Sequence, residues 1–393
     1  MTNIRNFLFV AILLSGVLLS SCKEDLSVEI PHFGENRDGS MILKQIDTLI
    51  IDSAMFSFWG RWTTDGQSLL YLDRNEDHVP IRVFDMNGIY HDSFLAKGRG
   101  PNEVIHPMVS LKFTKEGEIF AIDGDGNMYK LNNEKQIVLR NNYWHEVKKM
   151  AKYISGINNH DEIPELAIIL ISGLEHFNNN GVVFGDYLII PFSVDDVNIS
   201  AYNPNNGTKE HYKESFNMLA FDRDSLKPVK VFAHYPSTYQ NRILANFKNT
   251  DIATNDTLLF INYNADPSLY VYDDKFELTG KFGVASKRIN HNYPNVYSHK
   301  EHLETRAKHR KTYGYYRSIK YENGYIIRDY IGAGNTNNVQ IYDSSYNLVL
   351  DTELPYKQFV PIGYIAPYHY AVVGENEDMD SYTILRYTIE VAK

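Results

Sequence analysis

The feature that most constrains the fold is a phrase the chain repeats. An apolar strand and a polar turn lead to a strand ending in an aromatic residue and aspartate; a second turn and another strand follow. The phrase reads "SLLYLDRNEDHVPIRVFDMNGIYHDSF" at 68–94 and, more loosely, "EIFAIDGDGNMYKLNNEKQIVL" at 118–139. It returns as "NMLAFDRDSLKPVKVF" (217–232), "LLFINYNADPSLYVYDDKFELTGKF" (258–282) and "NVQIYDSSYNLVLDTEL" (338–354). A last copy, "YHYAVVGENEDMDSYTILRYTIEV" (368–391), lacks its final strand. Asp85, Asp222, Asp273 and Asp343 close the third strand and enter the hairpin, where a short carboxylate bonds the backbone and tolerates left-handed geometry.

The runs are rich in Tyr, Phe, Val and Ile, which suit pleated strands. Repeats of about 40–50 residues with four short strands are the mark of a propeller blade, whose two faces are both buried against neighbours. The expectation is an all-β chain folded as a six-bladed β-propeller. A seven-bladed ring is the alternative, with its extra blade between 141 and 180. "MILKQIDTLIID" (41–52) is an orphan strand, and supplying it to the incomplete last blade closes the ring. The spacing stretches near 141–180 and 285–313, which predicts partly helical insertions. "SHKEHLETRAKHRKTY" (298–313) in particular has helix-forming content.

The first residues read differently. Arg5 precedes the apolar run "FLFVAILLSGVLLSS", too short for an ordinary membrane span, so 1–21 reads as a signal peptide. It ends in "LLSSC", and Cys22, the only cysteine, is the expected lipidation site, with no disulfide possible within one chain. Residues 22–40 read as a lipidated flexible tether and 41–393 as one propeller domain. Lys23, Glu24 and Asp25 match an export signal of surface lipoproteins, or form a plain solvated tail. The expected location is the outer membrane, reached through a lipid anchor, with surface display as one of the two readings of that tail. A net charge of −10 without a basic block argues against nucleic acid as a partner. The chain is expected to be a monomer.

The lipobox, the six-unit count, the early "GRGPNEV" and "KTYGYYRSI" before the fifth blade together resemble Bacteroidota outer-membrane lipoproteins with a TolB-like six-bladed β-propeller, a family of unknown function. In that family a glycine-x-glycine-proline turn follows the first full blade, and Gly98, Gly100 and Pro101 match it, with Glu103 at its acidic position. The resemblance implies a fold and an outer-membrane setting, not a reaction.

Four stretches carry candidate chemistry. "GRGPNEV" is not a dinucleotide fingerprint: Glu103 stands where the third glycine belongs, a strand follows, and Pro101 removes an amide donor. Gly98, Gly100 and Pro101 read as a structural turn, while Arg99, Glu103 and His106 are candidate ligand residues if the crossing approaches the central channel. Asp123, Asp125, Asn127 and Glu134 fall at calcium-loop positions, making calcium the one cofactor to weigh. Met128 stands where that loop needs glycine, and Asp-Gly-Asp-Gly is also good hairpin chemistry. His299, His302 and His309 share one helical face, a weak metal set without an HExxH pattern. Tyr316, Arg317, Arg328 and Asp329 belong to an aromatic–arginine strand pair of the kind that binds sugars and peptides, or that packs a core.

No nucleophile motif or paired-carboxylate spacing is legible. The leading expectation is a non-catalytic binding or scaffold module for a protein, peptide or glycan, without a cofactor. The alternative is a propeller enzyme of the lactonase, lyase or hydrolase kind, with a polar site at the central channel.

Overall fold

The computed structural model describes residues 30–52, 60–73, 80–142, 168–171, 181–195, 212, 216–376 and 381–392. The chain divides into two compact units, Met1–Pro31 and His32–Lys393. The first, with Cys22, lies almost wholly outside the described residues, and the second holds the propeller.

Six antiparallel sheets form the ring of a six-bladed β-propeller. Blades one and two run from Arg61–Thr64 to Tyr90–Phe94 and from Met108–Phe113 to Ile137–Asn142. Blades four and five run from Thr250–Thr254 to Leu278–Phe282 and from Tyr315–Glu322 to Leu348–Glu353. In blade three, Tyr187–Asp195 pairs with two short segments, Ile168–Ile171 and Val182–Phe184. Ile168–Ile171 is the one strand described within 141–180, and the rest of that expected insertion, 143–167 and 172–180, lies outside the described residues.

Blade six is completed as the sequence predicts. Met41–Asp52 lies antiparallel along Ser381–Val391, in register from Met41 opposite Val391 to Asp52 opposite Ser381, with one bulge at Ile46. Arg386 grips the Asp47 carboxylate with two nitrogens across this seam. Ahead of the closing strand, residues 32–40 lie against the outer edges of blades four and five through parallel bridges, His32 with Lys281 and Asn36 with Leu348.

Alternation along the strands explains why both faces are apolar. In Leu69–Leu72, Leu69 and Tyr71 pack toward blade six, whereas Leu70 and Leu72 pack toward blade two. In blade five, Ile327 faces blade six and Ile326 faces blade four. Five hydrophobic clusters each fill one seam of the ring, and a sixth fills the seam of blades three and four and runs on to Tyr316 and Tyr330 of blade five. Asp85, Asp273 and Asp343 each accept backbone N–H groups two and four residues on, and Asp222 accepts from Ser225, so the aromatic–Asp signature is a turn cap.

The second insertion holds a helix, His299–Tyr313, between blades four and five. Ser298 caps it by accepting from the Glu301 N–H at 3.1 Å, and Glu301 returns to the Tyr297 N–H at 2.7 Å. Gly314 ends it at φ +74°, where an added Cβ would meet the Ile331 carbonyl oxygen at 2.5 Å. The chain can then turn straight into the inner strand of blade five.

Candidate functional site

The inner strands of the ring bring charge to its axis. Arg61 of blade one donates to the Val109 carbonyl at 2.8 Å, and Lys320 of blade five donates to the Ile362 carbonyl at 2.8 Å. Both acceptors sit at strand bulges, where the ladder leaves a residue unpaired. The buried Asp251 of blade four accepts from the Ile319 N–H of blade five at 3.0 Å. Arg61, Asp251, Ser318 and Lys320 line a cavity of only about 40 Å³, room for little more than water.

Lys112 joins this group electrostatically. The residue is half-buried, and burial of its ammonium group lowers its pKa, with repulsion from Lys320 and Arg61 added. Burial raises the Asp251 carboxyl in turn, against the pull of the Ile319 N–H and of Lys112. The two groups are pushed toward each other's range.

A larger pocket of about 290 Å³ opens beside this axis, shared among blades four, five and six. Five amide side chains (Asn249, Asn264, Asn335, Asn337, Gln358), three cations (Arg310, Arg317, Lys357), Tyr315 and Ile331 line it, and Gln358 also borders the small axial cavity. The fold fixes these groups from several directions. Asn337 donates to the carbonyls of Tyr356 and Lys357 at 3.2 and 2.8 Å, holding the loop that carries Lys357. Arg310, in the last helical turn, donates to the Asn246 carbonyl at 3.0 Å and lies 4.8 Å from the Tyr315 ring centroid.

Arg317 is the bulged residue of its strand. It donates to the Asp329 carboxylate and the Phe359 carbonyl, and Ser318 donates to the other Asp329 oxygen. Burial raises the Asp329 pKa while Arg317 pulls it back. Asn264 is 2 % exposed; its amide nitrogen donates to the Tyr316 carbonyl, and its Oδ1 has no hydrogen-bond partner.

Among the ligand candidates read from the sequence, only Arg317 lines this pocket, backed by Asp329. Tyr316 and Arg328 are wholly buried. The Arg328 guanidinium donates to Asn262 Oδ1 and to the carbonyls of Pro267 and Asp266 at 2.6–2.8 Å, and stacks 3.4 Å from the Tyr316 centroid. That pair is core.

Arg99, Glu103 and His106 lie between blades one and two. Glu103 accepts the Gly100 N–H at 2.7 Å, so the turn's own carboxylate occupies a donor that a phosphate cradle would use. Gly98 bonds with Val104 at 2.9 Å, and Arg140 donates to the carbonyls of Gly100, Pro101 and Glu103. Arg99 and Glu103 border an open hollow of about 570 Å³ beside Asn127, Tyr129 and Arg140, on the outer strands of blade two. His106 instead meets Asp125 at 2.9 Å.

The metal candidates are engaged in local bonding. Asp123 accepts from the N–H groups of Asp125 and Asn127, the Asn127 amide and the Tyr129 hydroxyl, a saturated turn. His302 and His309 face one amide, Asn246, at 2.7 and 2.8 Å. The His299 side chain lies outside the described residues. No group of three or more His, Cys, Asp or Glu side chains poised for a metal occurs among the described residues.

The pocket residues Asn249, Asn264, Asn335, Asn337, Lys357 and Gln358 were not singled out by sequence reasoning. They come from three blades and share no spacing.

No family model matches the chain, and no curated protein matches it. Solved structures do. A member of the DUF4221 family from Bacteroides vulgatus is similar at 13 % identity and a TM-score of 0.67, over 90 % of this chain and 99 % of that one. A protein from Bacteroides fragilis classed as exported is similar at 13 % identity and a TM-score of 0.55, over 92 % and 98 %. At such identity the likeness shows the propeller fold.

Proposed function

We propose that this chain is a lipid-anchored propeller at the outer membrane that acts as a non-catalytic binding module, taking an oxygen-rich ligand in the pocket of blades four to six. The observation that carries the reading is the lining: five amides and three cations around about 290 Å³, with Tyr315 and Ile331 as an apolar wall. Amides give and accept hydrogen bonds in fixed directions, which suits hydroxyl-bearing or peptide ligands. The neighbouring axial cavity is too small for a substrate, and its charged groups stitch one inner strand to the next.

Calorimetry against glycan and peptide panels tests this reading. Binding should weaken at least tenfold in Asn335→Ala combined with Tyr315→Ala, without turnover of the ligand. Unchanged affinity in that variant, or consumption of the ligand, would refute it. The anchor is checked separately, by loss of lipid labelling and membrane fractionation in Cys22→Ala.

The enzyme reading has one observation of its own. Lys112 and Asp251 are driven by burial toward pKa values suited to proton transfer. Ligand turnover abolished by Lys112→Met would favour it over the binding module.

A further inference from the structure

We infer that the pocket of blades four to six recognises an acidic sugar residue, a ring carrying a carboxylate beside free hydroxyls. This rests on the binding reading above and narrows it to a ligand class.

Two demands of the lining set the chemistry. The first is charge. Arg310, Arg317 and Lys357 border the pocket and no Asp or Glu does, in a chain whose net charge is −10. Asp329 sits behind Arg317 and offsets its charge. The Lys357 ammonium has no carboxylate within ion-pair distance among the described residues. An anionic ligand is thus favoured over a neutral one, and by geometry a planar carboxylate suits a guanidinium.

The second demand is opposite in sense. Asn264 must keep its nitrogen toward the Tyr316 carbonyl, so its partnerless atom is an acceptor, Oδ1. A buried acceptor left unmade costs roughly 1–3 kcal/mol, and a ligand that donates to it recovers that loss. An ionised carboxylate or a dianionic phosphate has acceptors only. It would satisfy Lys357 and leave Asn264 unmet. A ligand that answers both must carry an anion and a hydrogen-bond donor on one compact frame, and a sugar ring supplies that donor as a hydroxyl.

Size and the apolar wall complete the argument. About 290 Å³ lies at the lower end of small-ligand sites and takes a single ring, with the rest of an oligomer leaving through the open side. Tyr315 and Ile331 offer a wall for the C–H face of that ring. A hydroxyl-bearing uronate fits the charge, the donor and the volume together.

The test is calorimetry on the purified chain with tetramers of galacturonate and of glucuronate, their methyl esters, neutral cellotetraose, succinate and an acidic peptide. At least one uronate tetramer should bind, at least tenfold more tightly than its methyl ester and than succinate. Lys357→Gln should weaken it at least fivefold and Asn264→Leu at least tenfold, with Lys357→Gln leaving the melting temperature unchanged. Equal affinity for acid and ester would overturn the charge argument, and equal affinity for succinate would overturn the hydroxyl argument. Binding of cellotetraose or the peptide with neither uronate keeps the binding module and removes the acidic sugar. Uronate binding indifferent to both substitutions places it elsewhere and overturns the inference. Silence across the whole panel overturns the acidic-sugar inference and leaves the binding reading to the wider panels above.

Discussion

The Asp251 carboxylate of blade four accepts the backbone N–H of Ile319 in blade five at 3.0 Å, tying two inner strands together beside Lys112 and Lys320. Two functions are combined in that group, a hydrogen-bond acceptor and a counter-charge. Asp251→Asn keeps the first and loses the second, whereas Asp251→Leu loses both. Urea denaturation should show a cost of about 3–5 kcal/mol for the asparagine, because either variant leaves buried cations without their balance, and roughly 1–3 kcal/mol more for the leucine, which also leaves the Ile319 N–H unmade. Equal costs for the two variants would mean that the Ile319 bond contributes nothing.

Ring closure makes a second prediction. Met41–Asp52 covers the whole length of Ser381–Val391, so a chain beginning after residue 52 leaves that strand as a bare edge. Such a chain should lose cooperative unfolding and associate, seen by size-exclusion chromatography and a broadened thermal transition. Asp47→Ala, by contrast, removes only a partly exposed fork with Arg386. It should cost no more than about 1 kcal/mol.

The helix exit offers a third. Gly314→Ala puts a Cβ at positive φ and 2.5 Å from the Ile331 oxygen. The substitution should destabilise the protein by about 1–3 kcal/mol in denaturant, and it should weaken ligand binding as well, because Tyr315 and Arg317 follow directly. Alanine at Gly324, which has positive φ but open space around it, should cost less and leave binding intact.

These residues also show what the sequence made legible. The aromatic–Asp turns were readable because a cap is local: Asp85 bonds to Asn87 and Ile89, both within four residues. The closing strand was readable because an orphan and a gap demanded each other. The helix 299–313 was readable from its composition. The pocket was not, because Asn249 and Gln358 are brought together only by the ring. Nor could spacing separate Arg317 from Arg328 on one strand pair. A bulge turns Arg317 to the pocket, while three acceptors bury Arg328 under Tyr316. Glu103 likewise looked available and is held by its own turn.

The docking of the helix carries a pH dependence. His309 Nδ1 accepts from the Asn246 amide nitrogen at 2.8 Å, while Asn246 Oδ1 faces His302 Nδ1 at 2.7 Å. That arrangement needs a neutral His309, since a proton on Nδ1 would meet a donor. Burial lowers its pKa, Lys308 adds to the shift, and Glu301 opposes it. Because the folded pKa is depressed below the unfolded value of about 6.5, the contribution to stability is complete above that pH. It is lost as pH falls through the folded pKa. His309→Gln can present a carbonyl to the same amide without titrating. Thermal midpoints taken from pH 7.5 to 5 should therefore fall more steeply for the native chain than for this variant. The comparison also cancels His291, whose pKa is lowered by burial as well. Parallel midpoints for the two proteins would show that protonation of His309 does not loosen the helix from Asn246.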